Sequence, residues 1–392
     1  MRVAITGAGV VSAIGKGLPA FEESLFAGRS GIAPMRLVRE PGLKFQNAAE
    51  VPDFAWGDEK MAALYDRFAL MAGAAAEQAL AESGLPPGDD VAVVTGSCIG
   101  GAQTEDASYR QLYAERQTRF PPLIIPRIME NAPASLISTR WGFRGPAYTV
   151  ASACSSANHA IGQAFWMVRS GAVRAAIAGG ADATFTLGLL RAWEAMRVVS
   201  PDTCRPFSRD RSGMILGEGA AMLVLEPSEA ARRRGAPVLG EICGFGMSSD
   251  AHHITQPSGD GAARAMRAAI ADAGLAPEAI GYINAHGTAT SVNDPVECQA
   301  IAAVFGAHRP AISSTKSMHG HTLGAAGAIE AVATLLALRR GLLPPTANFT
   351  EQDPECPGDI VYGAARETRV KYAMSNSFAF GGLNAVLILG GA

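Results

Sequence analysis

The sequence predicts an α/β protein made of two related halves stacked in layers. Three observations lead there. Residues 3–6 (VAIT) and 91–95 (VAVVT) are short apolar runs that stop at a glycine, as buried strands do. Residues 72–83 and 262–273 are alanine-rich with helical periodicity. Finally, ALAESGLPP at 79–87 returns as AIADAGLAP at 269–277, about half a chain length later. Each copy reads as a helix end, a Gly stop and then a strand, VAVVTGS in one and GYINAHGT in the other.

A second pair of segments recurs in the same order. YTVASACSSANHAIGQAFWMVRSG (148–171) corresponds to ISSTKSMHGHTLGAAGAIEAVATLLALRRG (312–341), both a strand, a small-residue loop and a helix rich in Ala and Gly. The shorter offset places an insertion in the first half. Two correspondences in one order point to a duplication. Helices so poor in bulky side chains suit close packing between sheets in the middle of a molecule. The halves divide at EPSEAARRRGAPV, a polar helix end followed by Gly and Pro, giving residues 1–235 and 236–392.

Composition removes several function classes. The 33 basic and 36 acidic residues nearly cancel, and no basic stripe with interleaved aromatics occurs, which argues against nucleic-acid binding. Six cysteines, at 98, 154, 204, 243, 298 and 356, include no Cys-x-x-Cys pair, so neither a zinc site nor a redox dithiol is expected, and the thiols read as reduced. MRVAITGAGVVSAIGKG lacks the apolar block of a signal peptide, so a cytoplasmic location is expected. No window reaches the roughly 20 apolar residues that span a bilayer. Within the opening segment, TGAGVVS (6–12) imitates a dinucleotide fingerprint without its third glycine, and it reads as a tight turn.

Three strand-to-helix loops carry the candidate chemistry, where α/β sheets collect ligands. In TVASACSSANHAIG, small residues surround Cys154 and a helix begins near Ser156, so the thiol lies close to a helix N-terminus, a position that favours thiolate. In YINAHGTATSVNDPVE, a strand presents His286 and a loop whose hydroxyls face a ligand. In SSTKSMHGHTLGAAGAIE, Lys316, His319 and His321 precede a helix. A thiolate accepts an acyl group from a thioester, and neutral imidazole N–H donors stabilise the enolate oxygen that forms when a second thioester loses carbon dioxide. A zinc site from His286, His319 and His321 lacks the helical His-x-x-x-His spacing.

These loops, with ITGAGVVSAIG, IAGGADA, RPFSRDRSGMILGEGA, GFGMSSDAHHIT and NSFAFGGLNAVLIL, make the chain resemble an elongating β-ketoacyl-acyl carrier protein synthase of the thiolase superfamily over nearly its whole length. ACSSANHAIG and TKSMHGHTLGAAGAIE are especially similar to nodulation protein E-like condensing enzymes. The resemblance implies a five-layered αβαβα fold, a homodimer, acyl carrier protein as partner and no cofactor or metal. It makes Cys154 the acyl-carrying nucleophile and His286 and His321 the catalytic pair, with His319 a loop residue. Lys316 becomes an electrostatic or structural member with Glu330 as partner. The amides of Cys154 and Phe380 form the oxyanion hole, Thr288 and Thr290 line the pantetheine arm, Phe378 and Phe380 form a mobile gate, and Met129 shapes the acyl pocket.

Leu383 replaces the Thr usual in NSFAFGG-type loops, which bears on substrate detail rather than on the reaction. Thiolases fit poorly, because the last cysteine, Cys356, lies outside the C-terminal glycine-rich loop. The rival reading is a silent chain-length-factor partner, against which Cys154 argues. Arg110, Arg116 and Arg119, with Arg205 and Arg209, are candidates to receive an acidic carrier protein.

Overall fold

The computed structural model describes the whole chain, residues 1–392. Its principal strands in the first half are β1 (Val3–Ser12), β2 (Val91–Gly96), β3 (Ala147–Val150), β4 (Ala175–Asp182) and β5 (Gly219–Pro227). Those of the second half are β6 (Gly240–Ser249), β7 (Ile280–Asn284), β8 (Ala311–Ser313), β9 (Tyr372–Ala379) and β10 (Leu383–Gly390). The principal helices are α1 (Arg67–Ser83), α2 (Ala102–Tyr113), α3 (Ser156–Ser170), α4 (Leu187–Met196), α5 (Gly259–Asp272), α6 (Asn293–Phe305) and α7 (Ala326–Arg340).

Along the sheet these strands follow the order β8-β7-β9-β10-β6-β1-β5-β4-β2-β3, which is the same five-strand arrangement twice. In the first half β1–β5 and β5–β4 are antiparallel while β4–β2 and β2–β3 are parallel. The second half repeats that pattern strand for strand. Only three residue pairs, Val3–Ile242, Ala4–Glu241 and Ile5–Gly240, join the halves through β1 and β6. The repeat read from the sequence is thus a repeat of topology.

Helix positions complete the layers. α1 covers β1 and β5 on one outside, and α5 covers β6 and β10 on the other. Between the sheets lie α3 and α7, each touching strands of both halves and each other. In α7 every residue from Ala326 to Leu338 is buried and only the terminal arginines reach solvent. The alternation of helix and sheet is the expected αβαβα stack, and small side chains are what a helix needs when sheets press on both faces.

The turn expected at TGAGVVS does not form. β1 runs on through Ser12, with one register shift between Ile5 and Gly7. Its glycines serve close approach instead, since a Cβ on Gly7 would stand 2.0 Å from the carbonyl oxygen of Ala79, and one on Gly9 the same distance from that of Ala75. The backbone of α1 therefore rests directly on the strand. By contrast Gly84 and Gly274 do end α1 and α5, with φ of 60° and 66°.

Gly7→Ala cannot be absorbed by a side-chain rotation, because the obstacle is backbone. It should cost about 3 kcal/mol or more, the upper range for overpacking. Urea denaturation reads this directly, and an unchanged midpoint would show that α1 can lift off β1.

Candidate active site

Cys154 lies in the loop between β3 and α3, with Ala153 before it at φ 50°, a left-handed position that a non-glycine residue occupies at some cost. The side chain is buried. Burial pushes the thiol up to about 12, with the Lys316 charge pulling it down and Asp182 and Glu330 pushing it further up. The resting thiolate expected from the helix N-terminus is corrected accordingly. The helix begins where expected, but desolvation outweighs it and the thiol keeps its proton at neutral pH.

His286 follows β7, and its backbone is held by a carboxylate. Glu297 of α6 accepts from the amides of His286 and Gly287, both at 2.8 Å, and from Asn376 Nδ2 at 3.1 Å. Asp294, one turn earlier in α6, accepts from the amides of Ala289 and Phe207 at 3.1 and 2.9 Å. These two acids clamp the His-Gly-Thr-Ala-Thr loop from beneath. Thr288 and Thr290 hydroxyls lie 3.0 Å apart, and Arg211 Nε donates to the Thr290 carbonyl at 3.1 Å.

Lys316 opens the one-turn helix Lys316–His319 and is completely buried. Its Nζ pairs with the equally buried Glu330 of α7 and lies 3.3 Å from Nδ1 of His286. Burial raises the Glu330 carboxyl while Lys316 draws it back down. His321 is anchored through its own backbone, its amide donating to Ile215 O at 2.7 Å and its carbonyl accepting from Gly217. Its Nδ1 accepts from the amide of Leu323 at 3.2 Å.

Both rings therefore meet a donor at Nδ1, an ammonium for His286 and an amide for His321. A nitrogen that accepts carries no proton, so each neutral ring holds its proton on Nε2. Burial, then the charge of Lys316, drive both imidazoles well below their usual range, so they stay neutral. The rings stand edge to face, centroids 5.4 Å apart at 85°.

A single cleft of about 490 Å³ joins Cys154, His286, His321, Thr288, Thr290, Phe378 and Phe380. Phe378 packs 6.1 Å from the His286 ring, and Phe380 stacks on Trp193 of α4 at 6.3 Å. His319 is absent from the cleft, bonding instead to Thr315 Oγ1 at 3.0 Å and Gly320 O at 2.9 Å as a structural residue. Met129 is also absent from it. It lies half exposed where the short helix Ile124–Ile128 ends, so within one chain it does not reach the acyl site expected of it. Arg110, Arg116 and Arg119 are exposed, while Arg205 and Arg209 are already paired with Asp202 and Glu351.

Comparison with known proteins agrees with this geometry. The family described as Beta-ketoacyl synthase, N-terminal domain, matches residues 1–231, and its C-terminal domain matches residues 239–350. The chain belongs to the beta-ketoacyl synthase family. Among relatives of this beta-ketoacyl synthase, nodulation protein E of Rhizobium sp. (strain N33) is 45% identical over 394 residues, covering 98% of each chain. The 3-oxoacyl-[acyl-carrier-protein] synthase 2 of Synechocystis sp. is 39% identical over 403 residues, covering 98% of this chain and 97% of its own. The solved structure titled the ishigamide ketosynthase/chain length factor superposes with a TM-score of 0.96 at 38% identity, over 100% of this chain and 99% of its own. A thiolase-like fold follows from that likeness.

Four residues that build the beta-ketoacyl synthase site escaped the sequence reading: Arg211 and Trp193, which line the cleft, and Glu297 and Asp294, which hold its loop from beneath. The two acids were legible only as a pair three apart at the start of an apolar helix. Arg211 lay within RPFSRDRSGMILGEGA but was not singled out, and Trp193 carried no signal, since its partner Phe380 comes from a distant loop.

The Lys316–Glu330 pair makes a direct prediction. Lys316→Met strands a buried carboxylate and Glu330→Leu a buried ammonium, so each single change should cost about 3–5 kcal/mol. The double variant should lose far less than the sum, measured by denaturant unfolding. Additive losses would mean that the two charges do not depend on each other.

Proposed function

We propose that this chain catalyses decarboxylative condensation of an acyl thioester with a malonyl thioester, each delivered on acyl carrier protein, giving a 3-oxoacyl-carrier product and carbon dioxide. The observation that carries this is the pair of neutral imidazoles, each with Nε2–H free, in one cleft with a cysteine. Metal-free acyl hydrolysis needs one base beside the nucleophile. Two matched donors suit an enolate oxygen.

In the first half-reaction the Cys154 sulfur bonds to the acyl carbon, the carbon–sulfur bond to the carrier breaks, and the thiol proton passes to the departing carrier sulfur. Because the thiol rests protonated and both Nε2 atoms already carry protons, the proton leaves sulfur for the departing carrier sulfur within the acyl-transfer step itself. The Cys154 and Phe380 amides hold the oxyanion. In the second, the malonyl carboxylate leaves as carbon dioxide and its electron pair becomes the enolate, held by Nε2–H of His286 and His321. The enolate carbon attacks the acyl-Cys154 carbonyl, the new carbon–carbon bond forms, and the cysteine sulfur leaves and takes up one proton from solvent, the net proton the reaction consumes. Lys316 keeps His286 in its donor tautomer, and burial together with the Lys316 charge keeps both rings uncharged.

Further assignments follow the same reading. The nucleophile belongs to residues 1–235 and the histidine pair to 236–392. Thr288 and Thr290 contact the pantetheine arm, and Phe378 with Phe380 gates the acyl chamber. An acidic carrier protein docks at Arg110, Arg116 and Arg119. A homodimer would cover the exposed Leu123, Ile125 and Met129, which follow the arginine-bearing stretch. The free cysteines support a reducing cytoplasmic setting, and no helix is long and apolar enough to cross a membrane.

The ishigamide structure is a ketosynthase/chain length factor, so a silent partner is the competing assignment. Intact mass after incubation with acyl carrier proteins of several chain lengths separates the two. We expect a gain equal to the acyl group, confined to Cys154 and removed by malonyl carrier protein. No gain with any chain would favour the silent partner.

Cys154→Ala should abolish condensation while malonyl decarboxylation persists, since both enolate donors remain. Elongated product from that variant would overturn the mechanism. His321→Ala should slow carbon dioxide release by about 100-fold or more, the range for losing one oxyanion donor. Release at the wild-type rate would remove His321 from the enolate site.

A further inference from the structure

Asp182 ends β4 with no exposed surface, and no step of the mechanism above uses it. Its Oδ1 accepts from Ser97 Oγ at 2.7 Å and from the Cys98 amide at 3.3 Å. Its Oδ2 accepts from the Gly324 amide at 2.6 Å and from the Cys98 amide at 3.2 Å. All its donors are neutral, and no arginine or lysine pairs with it. The titratable groups facing it are Cys98 in the loop after β2 and Cys154 before α3. A carboxylate buried without a counter-charge is expensive. An apolar residue would hold a strand end at lower cost.

What the carboxylate holds is the turn beside His321. Gly324 follows Leu323, whose amide is the donor to His321 Nδ1. Leu323 sits at φ 51°, a conformation unfavourable for a branched side chain and sustained only by its surroundings. A Cβ at Gly324 would stand 2.5 Å from Asp182 Oδ2 and 2.7 Å from the Cys98 amide nitrogen, so turn, strand end and loop are in contact with no slack. The His321 backbone is fixed separately by Ile215 and Gly217. The ring's tautomer thus depends on where the Leu323 N–H points, and that depends on the bond from Gly324.

We propose that Asp182 is a positioning residue that sets His321 as an Nε2–H donor by anchoring the Leu323–Gly324 turn. The inference rests on the condensing reading for its kinetic consequence but not for its geometry. An asparagine at 182 has one accepting oxygen where three donors converge, and its NH2 would face an N–H.

Nitrogen NMR of 15N-histidine-labelled protein tests the geometry. Wild type should show His321 neutral and protonated on Nε2, with Asp182→Asn moving it toward an Nδ1–H mixture. On malonyl carrier protein, that variant should lose about 10-fold or more in kcat for decarboxylation, as expected when a catalytic histidine leaves its working tautomer. Acylation of Cys154 should not fall with it, because losing the Asp182 charge removes one of the influences that raise the thiol. Asp182→Glu should recover part of the loss. If Asp182→Asn does not fold, Ser97→Ala keeps the carboxylate and removes one of the bonds that favour its ionised form. The acidic limb of the decarboxylation profile should then move to higher pH. An unchanged His321 tautomer in the folded variant, equal losses in acylation and decarboxylation, or an unmoved acidic limb in Ser97→Ala would overturn the proposal. Wild type that neither acylates nor decarboxylates would defeat the condensing reading alone, leaving the tautomer comparison to decide the role of Asp182.

Discussion

The buried ammonium of Lys316 is the constraint on which the active cleft depends. It sits where no water reaches, neutralised by Glu330 on the central helix α7, and aims at His286 Nδ1. A positive charge there does three things through one set of contacts. It adds to the burial that keeps both imidazoles uncharged, it selects the tautomer of His286, and it offsets part of the desolvation that raises the Cys154 thiol. Such a pair holds together only inside a rigid, dry frame, because removing either member leaves the other charge uncompensated.

The layered fold supplies that frame. α3 delivers Cys154 and α7 delivers Glu330, and these helices are pressed between two sheets with equivalent topology. Small residues make this possible. Gly162 of α3 has the Phe245 ring where a Cβ would be, and Gly327 of α7 has the Asn158 amide. Each loop that carries chemistry leaves the end of a parallel strand, β3, β7 or β8, so the duplication brings the thiol from one half to the histidines of the other.

Much of this was legible in the sequence where the signal is local. Cys154, His286, Lys316 and His321 announced themselves because each sits in a small-residue loop after an apolar strand, and Glu330 followed from the family resemblance. The repeat was visible because helix ends and strand starts have short signatures. What was not legible depends on distant chain. Burial of Cys154 comes from loops of both halves and reverses the effect read from its helix. The glycines of β1 looked like a turn because the helix that requires them begins some 60 residues later. Asp182 and Glu297 read as ordinary acids, since their amide donors are brought to them only by the fold. Met129 lies outside the cleft of a single chain, which its neighbouring sequence could not reveal.

The central claim is that two neutral imidazole donors convert decarboxylation into carbon–carbon bond formation on acyl-Cys154. Rapid-quench analysis of pre-acylated protein mixed with malonyl carrier protein measures this most directly, following acyl-enzyme, carbon dioxide and 3-oxoacyl product together. The account predicts that the three change at one rate and in equal amounts over a single turnover. Carbon dioxide released without matching loss of acyl-enzyme and gain of product would contradict it.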